Sequence, residues 1–252
     1  MSGWTLRREN TLDAAQLKDQ LADTPARAAQ AILAAASAGA VEAQALLGQI
    51  LLDGRGIERD PALALRWFQI AADAGHLMAR NMLGRCCEHG WGCEPNLARA
   101  AAEYRACAEK GLDWGLYNLA NLLATGRGVL KDEAAAVACY RRAAELGHAK
   151  SMNLYGRYLE EGDVLPRDVA AAHRWYQRSA ENGDFRGQFS HAGVLIAQGR
   201  LEEGMAWLEK ARLGGHERFR RTAAEALTQA RQPEIRALAA RWAEAASSEA
   251  YR

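Results

Sequence analysis

Residues 45–75 read ALLGQILLDGRGIERDPALALRWFQIAADAG. Leu46, Leu47, Ile50, Leu51 and Leu52 recur at three- and four-residue spacing and then stop at Asp53-Gly54-Arg55-Gly56, which reads as a helix terminus and a tight turn. Asp60-Pro61 restarts a helix: the Asp side chain accepts an orphan amide of the first turn, and Pro is tolerated just inside it. Trp67-Phe68 and Ala71 then share one face until Gly75 ends the run. Two helices joined by a glycine loop make a hairpin that cannot bury both apolar faces alone, so the stretch predicts neighbours of its own kind.

Those neighbours are in the sequence. Glycine returns at Gly39, Gly75, Gly111, Gly147 and Gly183, each time after 36 residues, with a sixth copy at Gly215 after 32. A fixed period in this range marks a solenoid. Nine residues after each marker stands a small residue, Gly48, Gly84, Ala120, Gly156 or Ala192, and four before the next stands Ala71, Cys107, Ala143, Ser179 or Ala211. Small positions facing the aromatic positions Trp67-Phe68, Tyr104, Tyr140 and Trp175-Tyr176 let helices approach closely. The expected fold is all-alpha, a right-handed α-α superhelical solenoid of hairpins. Helices A span 40–53, 76–89, 112–125, 148–161 and 184–198; helices B span 60–74, 96–110, 132–146, 168–182 and 200–213. The organisation is an N-terminal cap at 1–39, with helices at 11–22 and 25–38; five repeats at 40–75, 76–111, 112–147, 148–183 and 184–215; and a C-terminal cap at 216–252. Trp4 and Leu6 are expected to pack on the first cap helix. The first three loops carry Gly-x-Gly, the fourth keeps only Gly162, and the fifth unit lacks the loop and is four residues short.

Lys and Arg number 32 against 31 Asp and Glu, a balance that argues against a nucleic-acid partner, because phosphate neutralisation dominates that affinity. The N-terminal residues show neither a secretory signal nor a membrane span. Five cysteines, an odd number, fit reduced thiols in the cytoplasm. Cys86, Cys87, His89 and Cys93 have a composition that zinc accepts, though without C-x-x-C spacing, and they define the alternative of a metal-binding or regulatory protein. A hydrolase is a further alternative. No Ser-centred elbow, P-loop or dinucleotide fingerprint occurs in a strand-turn-helix setting, so no cofactor and no catalytic residue is expected. Gly75-His76, Gly147-His148 and Gly215-His216 repeat at the inter-repeat turn, which points to a structural role such as capping the preceding helix, and His191 stands at a core position.

The joint pattern of Ala45–Gly75, repeated from Asn118-Leu119-Ala120-Asn121-Leu122-Leu123 through Ala143-Ala144-Glu145-Leu146-Gly147, closely resembles the Sel1-like repeat family, a branch of the tetratricopeptide-like superhelices. The resemblance covers about residues 40–215 and implies a non-enzymatic adaptor or scaffold, often bacterial, that binds a partner protein or peptide in a concave groove. In such hairpin stacks the A helices line that groove. Offsets five and six from the marker then give Gln44, Arg80, Asn81, Leu116, Tyr117, Met152, Asn153, Gln188 and Phe189 as candidate contacts, offsets two to three add Trp114 and Lys150, and offset thirteen adds Glu88 and Glu160. Tyr117, Phe189 and Trp114 are the preferred anchors, since aromatic residues dominate interface hot spots. Tyr117 and Phe189 can equally fill a gap between repeats. Asn81, Asn118, Asn121 and Asn153 offer two-way amide bonds to an extended peptide, Asn118 alternatively holding the adjacent loop, and Trp91 is either an exposed foot or a lid over its own repeat. A well-capped array is expected to be a monomer; the Ala26–Ala38 stretch leaves a homodimer open.

Overall fold

A computed structural model describes residues 24–247, with side chains to Ala243. Among the described residues every regular element is a helix. The chain divides into two compact units, residues 1–110 and 111–252.

The first unit contains α1 (Pro25–Ser37), α2 (Val41–Asp53), α3 (Pro61–Asp73), α4 (Leu77–His89) and α5 (Leu97–Glu109). Helices α2/α3 and α4/α5 form antiparallel hairpins, with α1 against α2 and α3 against α4. The second unit contains α6 (Asp113–Thr125), α7 (Glu133–Glu145), α8 (Ala149–Glu161), α9 (Val169–Glu181), α10 (Phe185–Ala197), α11 (Leu201–Gly214), α12 (Glu217–Thr228) and α13 (Pro233–Ser247). Here α6/α7, α8/α9, α10/α11 and α12/α13 pair, and α7 packs on α8 and α9 on α10. The A helices are α2, α4, α6, α8 and α10, and the B helices are α3, α5, α7, α9 and α11. The expected bounds hold to within a residue or two. The N-terminal cap helix, with Trp4 and Leu6, lies outside the described residues.

Capping chemistry decides where the helices begin. Asp60, Asn96, Asp132 and Asp168 each accept the amide of the residue three further on at 2.8–2.9 Å, opening α3, α5, α7 and α9. The turn histidines cap the helix that follows, not the one that precedes. Nδ1 of His76 accepts from the Ala79 amide at 2.9 Å, that of His148 from Ser151 at 3.3 Å, and that of His216 from Phe219 at 3.1 Å. The preceding helix is closed by backbone alone: His76 N–H donates to Ala71 O and His148 N–H to Ala143 O. This requires the intervening glycine to be left-handed, with φ +94° at Gly75 and +101° at Gly147. Gly215 departs from the series. Its φ of −79° and ψ of 140° are extended backbone, so the shortened fifth unit ends on a different turn.

The small position at offset nine receives a ring from the B helix of the same hairpin. A Cβ on Gly48 would lie 2.7 Å from Phe68, one on Gly84 2.6 Å from Tyr104, and one on Gly156 2.8 Å from Tyr176. These rings are almost wholly buried, and the tyrosine hydroxyls at this position are satisfied internally. Tyr104 donates to Glu88 at 2.8 Å, Tyr176 to Glu160 at 2.7 Å and Tyr140 to Asn121 at 2.7 Å. The last four helices gather Leu208, Leu227, Ile235 and Trp242 into a core of their own.

Candidate functional site

Each A helix turns its offsets eight, nine and twelve into the hairpin core: Leu47, Gly48 and Leu51 in α2, and Leu83, Gly84 and Cys87 in α4. At 100° per residue, offset five falls with that core stripe and offset six on its flank, whereas offsets three, seven and ten share the opposite side. The burial pattern follows this geometry. Gln44, Asn81, Leu116, Met152 and Asn153 are all buried, and Leu116 and Met152 are apolar core. Gln44 donates to Ala36 O at 3.3 Å. Arg80 ties its repeat to the one before, with one guanidinium nitrogen 3.1 Å from Glu103 of its own repeat and another donating to Ala72 O of the preceding one at 3.0 Å. Phe189 is half-buried against Phe219 and Trp242, with ring centroids 5.9 and 6.0 Å away, and Gln188 beside it is half-buried. Asn121 accepts the Tyr140 hydroxyl and so belongs to the hairpin, as do Glu88 and Glu160.

Three of the named residues come together. In the second unit Trp114, Tyr117 and Lys150 meet around His148. The Trp114 and His148 centroids are 4.6 Å apart, Tyr117 and His148 4.7 Å, and Trp114 and Tyr117 6.1 Å with rings edge to face. The Lys150 ammonium lies 5.2 Å from the Trp114 centroid and 6.0 Å from that of Tyr117. A cation over a ring face is held by the ring quadrupole, so the two rings position the lysine. Burial holds His148 neutral, down to about 4, with Lys150 acting in the same direction and Asp113 against it.

In the first unit the outward side of the A helices is an open apolar groove of about 530 Å³, lined by Ile32, Leu46, Gln49, Met78 and Met82, with Glu42 and His76 at its edge. Leu46 and Met78 expose about two-fifths of their surface. The His76 Nε2 lies 3.0 Å from Glu42, tying the edge of one repeat to the next. Glu42 and Met78 stand at offset three, Leu46 and Met82 at seven and Gln49 at ten, and none of them is among the sequence candidates. The signal was available: Leu46 and Met78 are apolar at positions that 100° spacing places away from the core stripe.

The cysteine cluster does not converge as a metal site. No group of three His, Cys, Asp or Glu side chains suited to a metal occurs among the described residues. Cys86 and Cys87 are buried in α4, and burial pushes their thiols up to about 12 and about 11. The Cys93 Sγ donates to Cys86 O at 3.7 Å, and the His89 ring lies 4.7 Å from that of Trp91. Arg85 covers the same indole at 5.0 Å, so Trp91 sits over its own repeat. The alternative built on Cys86, Cys87, His89 and Cys93 is therefore set aside.

Comparison with known proteins bears on the class that this arrangement defines. The Sel1 repeat model matches residues 41–76, 77–111, 115–148, 149–184 and 201–216, more than half of the sequence, and the chain belongs to the Sel1 repeat family. A Sel1 repeat protein from Oxalobacter formigenes is similar over 83% of this chain and 88% of its own, with 26% identity and a TM-score of 0.70. The structure of c5321, a protective antigen of uropathogenic Escherichia coli, is similar at 27% identity and TM-score 0.67, over 89% of this chain and 49% of that one. The immunity protein Pa5087 from Pseudomonas aeruginosa shares the fold at 19% identity, TM-score 0.56, over 82% and 84% of the two chains. A search of curated proteins finds no significant match. The family is one of non-catalytic α-helical repeat solenoids, and membership supports a scaffold role in protein–protein interaction.

Proposed function

We propose that this chain is an adaptor that holds a partner protein or peptide along the outward side of its A helices. The observation that carries the reading is the first unit's groove: Leu46 and Met78 stand open over a floor that includes the buried Ile32 and Met82. Contiguous exposed apolar surface rimmed by polar groups marks an interaction site. The second unit supports it with an aromatic and cationic cluster, Trp114 and Lys150 at offset three and Tyr117 on the flank at offset six. The five unpaired thiols suit a reducing compartment, so we place its work in the cytoplasm.

The test is affinity capture from native extract with three proteins whose helicity has been checked: the intact chain, Leu46→Glu/Met78→Glu, and Trp114→Ala/Lys150→Ala. A protein retained by the intact chain and lost at least tenfold by either variant supports the reading. Equal retention by all three, or none by any, removes it. Phe189→Ala is a poor probe, because that ring fills the core beside Trp242.

A further inference from the structure

The four glycine loops are not equivalent. In the first unit the second glycine of each loop lies against the start of the previous B-type helix. A Cβ on Gly56 would run into the carbonyl oxygen of Pro25, and one on Gly92 into that of Pro61. Both glycines are left-handed, at φ +71° and +77°. In the first three loops the residue after the first glycine also donates back to the helix just ended: Arg55 to Ile50 O, Trp91 to Cys86 O and Arg127 to Leu122 O. The fourth loop, Gly162 to Asp168, has the same length but carries Val164 at the second glycine position. A β-branched residue neither enters the left-handed region readily nor fits against a carbonyl. Both ends of this loop keep their anchors, Gly162 N–H to Tyr158 O and Asp168 N–H to Leu159 O, while the bond from Asp163 is missing among the described residues.

At the fourth loop there is space on both sides of Val164. On one side of Val164 is a cavity of about 220 Å³ that includes Glu133, the first residue of α7. On the other, a cleft of about 860 Å³ runs between α7 and the loop. Val137, Leu159 and Leu165 give it an apolar floor, and Arg141, Arg142 and Arg167 edge it. Two acids share the edge, and both are engaged: Glu145 accepts from Arg141 at 2.9 Å, and Asp168 accepts the Ala171 amide at 2.8 Å. Arg167 Nε donates to Glu160 O at 2.9 Å, and neither Arg142 nor Arg167 has a carboxylate partner among the described residues. The cleft is thus apolar within and cationic at its lip, and its volume falls in the range of natural binding pockets.

We infer that this cleft is a second docking site, taking a partner's peptide segment in which apolar and acidic side chains alternate. The apolar side chains enter between Val137 and Leu165, and the carboxylates reach Arg142 and Arg167. The site exists because Val164 holds the loop open, and it is independent of the A-helix groove.

The experiment titrates the isotope-labelled full chain with acetyl-Leu-Glu-Leu-Glu-amide and with acetyl-Leu-Gln-Leu-Gln-amide, reading backbone amide shifts. The expected result is a saturable shift confined to α7 and residues 162–168, at least tenfold weaker for the glutamine peptide. Arg142→Gln, an exposed change, should weaken the acidic peptide at least fivefold. Val164→Gly restores the regular loop and should weaken it at least tenfold without lowering the melting temperature. Equal binding of both peptides, shifts centred on Leu46 and Met78, or no saturable shift at millimolar peptide would each overturn the inference. So would tighter binding of sodium decanoate at the same residues, which would make the ligand a free amphiphile, or concentration-dependent shifts there without peptide, which would make it a second copy of the chain.

Discussion

His76 and His148 stand at equivalent positions in the two units and perform the same cap, yet their surroundings differ. His76 faces Glu42 across an apolar groove and keeps part of its ring in solvent. His148 is buried beneath Trp114 and Tyr117, with Lys150 above the rings. The backbone device is shared, and what lies outward of it is set by offsets three and six of the neighbouring repeats. In the first unit those positions leave a trough, and in the second they fill it with aromatic rings. A repeat frame can therefore hold one cap constant while the surface above it changes from an apolar channel to a cationic shelf.

Replacing each histidine by alanine should separate the cap from its surroundings. His148→Ala removes a cap, worth about 1 kcal/mol, and leaves a void under two rings, for a total loss of about 2–3 kcal/mol in urea unfolding. His76→Ala should cost about 1 kcal/mol, the cap alone. Equal losses would mean that the ring cluster contributes nothing to the second unit.

Acid should sharpen the same contrast. The folded-state pKa of His148 is depressed to about 4, chiefly by burial, against about 6.5 in the unfolded chain. Between these values the unfolded chain binds the proton and the folded chain does not. The contribution is therefore fully present above pH 6.5 and is lost as pH falls towards 4. From pH 7 to pH 5 the loss is about 2 kcal/mol. His148→Asn keeps an N-cap that does not titrate, and its urea midpoint should fall less over that interval than the parent's. An identical fall in both would assign the acid sensitivity elsewhere.

The repeat itself was legible because its rules are local. The marker glycines, the Asp/Asn caps and the pairing of small residue with aromatic each act within a few residues and recur at fixed phase. The groove residues were read less well. Counting five and six from the glycine selected Gln44, Leu116 and Met152, which face the hairpin core; the outward stripe starts at three and includes Leu46 and Met78. Trp114 and Lys150 were found because offset three was also considered. Phe189 misled because its neighbours Phe219 and Trp242 come from the irregular end, where no period announces the contact. The histidines' direction of capping was likewise invisible, since a residue at the junction of two helices can serve either.

Lys150→Met tests the shelf by itself. The side chain keeps its length and apolar stem, so the change removes mainly the ammonium over Trp114. The expected loss is about 0.5–1 kcal/mol, the range for a partly exposed cation over an aromatic ring. A gain in stability would show that the lysine is held there against its own solvation.

The smallest effect belongs to the first unit's groove. Leu46 is 43% and Met78 39% exposed, so both already meet water in the folded chain. Replacing both with Gln removes little burial and leaves the Gly48–Phe68 contact beneath them intact. The stability change should stay within about 0.5 kcal/mol, as for surface positions away from caps and core. A loss above 2 kcal/mol would mean that these side chains are packed in solution, with the groove closed. A small change, together with loss of the partner in the capture experiment, would show side chains kept apolar for another molecule and not for the fold.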